Sequence, residues 1–161
     1  MNSFYTDVIR NHPRFNSTSR INDLNFLEPV TRQKVQAILA DAHEHGVNLM
    51  VFETYRSQAR QELLFNQGAT QLRKVGVHHF GLACDIVKNV NGEPSWKGSF
   101  SILRDLSLKH GLIWGGDWGR PNIPHSFIDA VHVQRCSIRS QSALFSLQFY
   151  PDEMYNPYND L

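Results

Sequence analysis

The sequence predicts an α+β fold, a small and mainly antiparallel sheet with helices packed around it. Apolar residues recur at helical spacing around residues 29–46 and again after Ser99. Short runs with β-branched and aromatic residues lie between them, at 47–52 and 84–87, and after them, at 127–134. Helices precede and interrupt these runs without the regular strand–helix alternation of a parallel sheet.

In chain order, residues 1–24 are polar apart from Phe4, Tyr5, Val8 and Ile9, and predict a short helix followed by an irregular arm. Residues 29–46 predict the first long helix: Pro29 suits a first turn, Val35, Ile38, Leu39 and Ala42 form a stripe, and Gly46 is a stop. Val47–Phe52 predicts a strand. Ser57 can cap a second helix that runs through Gln67 and ends at Gly68. Cys84–Val87 predicts a buried strand, and Asn91-Gly92-Glu93-Pro94 a turn. Ser99 or Ser101 opens a third helix with Phe100, Leu103, Leu106 and His110 along one side and Gly111 at its end. Phe127–Gln134 predicts the last strand. Leu144, Phe145, Leu147 and Phe149 predict a packed C-terminal element, whereas the stretch from Tyr150 to Leu161 is left open between a tail and a contact surface.

With 161 residues the chain fits one domain with a substantial core. The expected division is an arm (1–24), a core (25–136) and a C-terminal extension (137–161). A net charge of +1 gives no case for a nucleic-acid binder. The first fifteen residues contain no apolar signal core, and no run of about 18 apolar residues exists to span a membrane. Cys84 and Cys136 sit in no metal-binding or redox spacing, so both are expected to be reduced core thiols.

The chemistry concentrates in Gly76–Asp85 (GVHHFGLACD) and Asp129–His132 (DAVH). Together they offer two imidazoles, a carboxylate to join them and a second carboxylate to spare. A hydrolytic zinc site needs three nitrogen or oxygen ligands with one position left open, and a base beside that position. His78, Asp85 and His132 can fill the first role and Asp129 the second. His78 and Asp85 are an odd number of residues apart, so one straight strand would point them to opposite faces. A bend at Gly81 is therefore expected, with Asp85 on the strand that follows and His132 on a neighbouring one. Asp129, three residues before His132, requires a bulge or a strand that begins only after it.

These segments resemble the zinc D-Ala-D-Ala carboxypeptidases and L-alanyl-D-glutamate endopeptidases, part of a wider group with lysostaphin-type peptidases and the hedgehog signalling domain. His78, Gly81, Ala83 and Asp85 match the pattern Ser-x-His-x-x-Gly-x-Ala-x-Asp, and Asp129 and His132 match the later acid-x-x-His. The same spacing selects His78 over His79. Glu53–Ser57 (ETYRS) with Gln61, and Gly111–Trp118 (GLIWGGDW), resemble the endopeptidase branch, and the likeness extends from about Leu24 to Gln134. One departure is Gly76, where the family has Ser.

The resemblance implies the hedgehog/D-Ala-D-Ala-peptidase fold, one Zn2+ per chain on His78, Asp85 and His132, and Asp129 as base. It implies that Arg56 binds a substrate carboxylate or the oxyanion; Tyr55, Ser57, Trp114 beside its glycines and His125 near the motif are read as further substrate contacts. Other histidines (His12, His43, His45, His110) are read as structural, and Asp117 as a turn residue. The implied partner of a monomeric enzyme is a peptidoglycan stem peptide, cut at the L-Ala-D-Glu bond in an endolysin-like manner. Without a signal peptide, a holin or a dedicated secretion system would release it to the cell wall. The alternatives are a D-Ala-D-Ala carboxypeptidase or a non-catalytic zinc-containing binding module.

Overall fold

The structure is a computed structural model that describes residues 2–70, 72–118 and 128–160. Its centre is a five-stranded antiparallel sheet built on β2 (Ala83–Val90). One edge of β2 pairs with β1 (Leu49–Glu53). The other pairs with β5 (His132–Gln134) and, further along, with β3 (Glu93–Ser95); β4 (Ile113–Trp114) lies outside β5. Helices α1 (Pro29–Glu44), α2 (Gln58–Asn66), α3 (Ile102–His110) and α4 (Gln141–Phe145) surround it.

Helix α1 begins at Pro29, which has no amide hydrogen to satisfy. The Glu28 carboxylate accepts from the amides of Val30 (2.8 Å) and Thr31 (3.0 Å). The predicted stripe buries Val35, Ile38 and Ala42, and the chain leaves the helix through Gly46 at φ +80°. Ser57 caps α2 by accepting from the Arg60 amide at 2.9 Å. Between β2 and β3 the turn is only Asn91-Gly92, with φ of 54° and 89°, the left-handed pair that tight hairpins use. The turn expected over residues 91–94 is thus shorter, and Pro94 sits in an edge strand, where a missing donor is tolerated.

Alternation along β2 divides the molecule. Cys84 and Ile86, with Val133 and Trp114, face α1 and α3 and join Leu27, Val35, Ile38, Leu103 and Leu112 in one core. A second core gathers Ile9, Phe26, Tyr55, Phe80, Leu82, Cys136 and Leu144, so the N-terminal arm is packed rather than loose. Tyr5–Ile9 forms the short helical segment expected in the arm, as one π-helical turn. Cys84 and Cys136 are both buried free thiols, one in each core.

The last strand was expected to span Phe127–Gln134, but it starts at His132. Residues 129–132 form a turn closed by the His132 amide donating to the Asp129 carbonyl at 3.3 Å; Phe127 lies outside the described residues. The C-terminal stretch packs on the body: the hydroxyls of Tyr150 and Tyr158 donate to the carbonyls of Phe80 and Leu112, each at 2.8 Å. Arg135, fully buried, pairs with Glu28 at 3.1 Å and donates to the carbonyls of Asp152 and Tyr155. No helix among the described residues is long and apolar enough to cross a membrane.

Candidate active site

His78 lies on a 3-10 turn, Val77–Phe80, which Gly81 terminates in the left-handed region at φ +73°. A Cβ at Gly81 would come within 2.7 Å of both Ile9 Cδ1 and the Phe26 carbonyl, so conformation and space both require glycine there. This is the bend the spacing demanded. Beyond it, Asp85 on β2 is the direct cross-strand partner of His132 on β5, and cross-strand partners point to the same face.

The three side chains converge: one ligand atom from each of His78, Asp85 and His132 lies within 4.8 Å of the others, and all three residues are buried. Asp85 Oδ1 is 3.2 Å from His78 Nε2 and 3.4 Å from His132 Nδ1. Two ligands about 2.1 Å from a tetrahedral ion are separated by about 3.4 Å, close to the distance from this oxygen to each of the two nitrogens.

The hydrogen bonds behind the triad fix which atoms of the imidazoles point inward. His78 Nδ1 is 2.7 Å from the Thr54 carbonyl, which can only accept, so Nδ1 carries the proton and Nε2 presents its lone pair. His132 Nε2 is 2.8 Å from Gln134 Oε1. The other end of that amide donates to the Cys136 carbonyl (2.5 Å) and to Gln141 Oε1 (2.9 Å). Since the Cys136 carbonyl cannot donate, the Gln134 amide nitrogen must face it and its oxygen must face His132. His132 therefore carries its proton on Nε2 and offers Nδ1. Asp85 uses Oδ1 toward the imidazoles, while Oδ2 accepts from Arg56 Nη2 at 3.4 Å. Such outer partners orient metal ligands and raise their basicity.

Burial alone would raise the Asp85 pKa, but the facing His78 and His132 outweigh it and hold the carboxyl well below its usual range. The reverse balance raises His132: burial disfavours its cation, and Asp85 and Asp129 more than compensate. Arg56 is likewise kept cationic against burial by Asp85 and Glu53. Asp129 is pushed up, chiefly by burial, with Asp85 adding repulsion and His132 and His78 opposing it.

Asp129 is carried to the site by glycine. Its amide donates to the Gly115 carbonyl at 3.0 Å, and a Cβ on Gly115 would collide with the Asp129 carbonyl. The side chain lines two cavities. One, about 280 Å3, is bounded by Leu72, Trp118, His132, Gln141 and Phe145; the other, about 410 Å3, by Phe52, Trp96, Asp85 and Val131. Arg56 and Asp129 line both, so the triad sits where two halves of one cleft meet.

The remaining expectations divide. Arg56 lines the cleft and is also a support: it donates to Glu53 (2.7 Å), Gln61 (3.3 Å) and Asp85. Tyr55 is not a substrate contact. It is fully buried, stacked on Phe26 with ring centroids 5.1 Å apart, and its hydroxyl donates to the Phe15 carbonyl. Ser57 is likewise enclosed, its hydroxyl divided between the α2 cap and the Ser17 carbonyl. Trp114 belongs to the helical core, with Nε1 donating to the Ala130 carbonyl at 2.8 Å. His125 lies outside the described residues. His79 points away from the triad into the second core, 2.9 Å from the Tyr5 hydroxyl, and burial lowers its pKa to about 4. Trp118 does touch the site: its ring lies 5.0 Å from that of His132. Its signal in the sequence is the Gly115–Gly116 pair set close to two tryptophans. Gln134 was visible only as an alternate residue after a ligand histidine.

A buried His-Asp-His set at the base of a cleft, with a carboxylate beside it, defines the class of metal-dependent hydrolases. The chain belongs to the VanY D-alanyl-D-alanine carboxypeptidase family, whose sequence pattern matches residues 24–107. It is 28% identical over 123 residues to the peptidoglycan L-alanyl-D-glutamate endopeptidase CwlK of Bacillus subtilis, covering 62% of this chain and 71% of that protein. It is also 28% identical over 118 residues to the L-alanyl-D-glutamate peptidase of Listeria phage A118, covering 70% of this chain but only 39% of that longer protein. Among solved structures, the Serratia marcescens L-Ala D-Glu endopeptidase ChiX superposes with a TM-score of 0.54 at 24% identity, over 78% of this chain and 93% of that one. A variant of the vancomycin-resistance D,D-pentapeptidase VanY in complex with Zn(II) superposes with a TM-score of 0.54 at 17% identity, over 74% and 78%. These two likenesses establish the shared fold.

Proposed function

We propose that this protein is a zinc peptidase that hydrolyses peptidoglycan stem peptides at the L-Ala-D-Glu bond. The observation that carries the proposal is the His78–Asp85–His132 triad at the junction of a two-sided cleft with Asp129 between the halves. A peptide cut internally has chain on both sides of the scissile bond, and this cleft has room on both. The named relatives from Bacillus subtilis and the Listeria phage point to the same bond.

Zinc held by His78 Nε2, Asp85 Oδ1 and His132 Nδ1 would polarise the scissile carbonyl and make the attacking water acidic, moving its pKa to about 7. The chain's residues do the rest. Asp129 accepts a proton from that water as its oxygen bonds to the carbonyl carbon. It then delivers the proton to the amine nitrogen as the carbon–nitrogen bond breaks. Arg56 lies along the cleft, fixed by Glu53 and Gln61, where its charge favours the oxyanion or a substrate carboxylate. Trp118 covers His132 and limits water at that side of the triad.

The test is a digest of purified muropeptides by the zinc-loaded protein, beside a chelated control, read by mass spectrometry. A new D-Glu amino terminus is expected. Loss of a terminal D-Ala alone would make the protein a carboxypeptidase, and zinc binding without any cleavage would overturn the hydrolytic reading.

A further inference from the structure

Trp96 stands at the end of β3 with half of its surface exposed, although its neighbours hold it in place. The pairs Val90↔Glu93, Asn89↔Pro94 and Lys88↔Ser95 end one residue before Trp96, and the next residue of β2 is Val87. Val87 is two residues from Asp85, so the two share a face of the sheet and lie roughly 7 Å apart along the strand. Lys88 is partnered by Ser95 on one edge and Leu49 on the other, so β3 and β1 flank β2 from opposite sides. Phe52 rises from β1, displaced by the bulge between Val51 and Glu53, and meets the Trp96 ring edge-on, with centroids 4.7 Å apart and planes at 78°. The Arg20 guanidinium lies 4.3 Å from the Phe52 ring centroid. The indole is thus braced above β2 beside the metal ligand and lines the larger half of the cleft.

We propose that Trp96 is the platform for the sugar ring that a peptidoglycan substrate carries next to its first residue, an inference that rests on the stem-peptide reading above. Three observations favour a sugar. A braced, half-exposed aromatic face offers flat apolar surface to the C–H face of a pyranose at little ordering cost. Both arginines in this half of the cleft are already paired, Arg60 with Glu53 (3.0 Å) and Arg56 with Glu53 (2.7 Å) and Asp85 (3.4 Å), which suits an uncharged ring. The other half carries Lys74 in its lining, on the side left for the carboxylates beyond the scissile bond.

The experiment uses two probes: an N-acetylmuramyl stem tetrapeptide and the same tetrapeptide without its sugar. Zinc-loaded wild-type and Trp96→Ala proteins are compared on both. The substitution is expected to lower kcat/KM about tenfold on the muramyl probe, equivalent to about 1.4 kcal/mol, and to leave the bare peptide within about twofold. Trp96→Phe should retain most of the sugar-dependent rate. Equal losses on both probes, or none on the muramyl probe, overturn the proposal. Failure of the peptidase reading itself is separable by following the indole N–H resonances with the muramyl probe. A shift confined to Trp96 upholds the sugar platform even if neither probe is cleaved, and an unmoved Trp96 resonance refutes it.

Discussion

Replacing Gln134 by Leu removes the group that fixes the tautomer of His132 while leaving every proposed metal ligand in place. Gln134 is almost fully buried, and its amide makes three hydrogen bonds: to His132 (2.8 Å), the Cys136 carbonyl (2.5 Å) and Gln141 (2.9 Å). Two consequences follow. The Cys136 carbonyl loses a buried donor, which costs about 1–3 kcal/mol of stability. Zinc affinity falls as well, because His132 is no longer held with Nδ1 toward the ion; loss of such an outer partner typically costs about 10–100-fold, or about 1.4–2.7 kcal/mol of binding. Gln134→Glu separates the effects. Its carboxylate still accepts from His132 but cannot donate to Cys136 or Gln141, so affinity should hold while stability falls. Competition with a chromophoric chelator gives the zinc Kd, thermal unfolding of the metal-free proteins gives the stability change, and nitrogen-15 spectra of the imidazole report the tautomer directly. A Leu variant that binds zinc within twofold of wild type, with His132 still protonated on Nε2, would refute the argument.

Asp129→Asn should retain zinc, since Asp129 is not in the ligand set, and lose about 10²–10⁴-fold in kcat; metal analysis beside turnover checks both halves. Ser57→Ala should cost about 1 kcal/mol, the value of a helix cap, with kcat/KM unchanged, and a selective loss of substrate affinity would restore the substrate-contact reading. His79 gives a pH dependence of stability. Its folded pKa, about 4, lies below the ordinary value of 6.5. Between these values the unfolded chain therefore binds more protons, and stability is full above pH 6.5 and lost as the pH falls toward 4. The gap corresponds to roughly 3 kcal/mol. Denaturant titrations of wild type and His79→Phe across that range should show a shallower acid decline in the variant; parallel curves would remove His79 as the cause.

The His78–Asp85–His132 cluster is legible in the sequence because a metal site calls for particular residue types, and the odd spacing from His78 to Asp85 requires a bend, which Gly81 supplies. Helices α1 and α2 were readable because Pro29, Gly46 and Ser57 carry local signals that need no tertiary context. Tyr55 and Ser57 were misjudged for one physical reason. Along ETYRS the side chains alternate, so Arg56 faces the cleft while its neighbours are enclosed between the arm and α2. Trp114 was preferred to Trp118 because nothing local distinguishes them; β4–β5 register decides, turning Trp114 with Val133 into the helical core. The Thr54 carbonyl that sets the His78 tautomer has no signal in side-chain identity at all.

The two cysteines, with the sheet between their packing layers, give the molecule a pair of internal clocks. Neither thiol has any solvent exposure, and burial presses both toward the unreactive protonated form, Cys84 well above its usual range and Cys136 to about 12. An alkylating reagent therefore reaches each only when its own layer opens. Equal labelling rates at Cys84 and Cys136 would mean that the helical layer and the arm layer come apart in one cooperative event. A faster rate at Cys136 would mean that the arm and C-terminal segment detach first, which would leave Gln134 and its bond to His132 without their covering while the ligands on β2 and β5 remain paired.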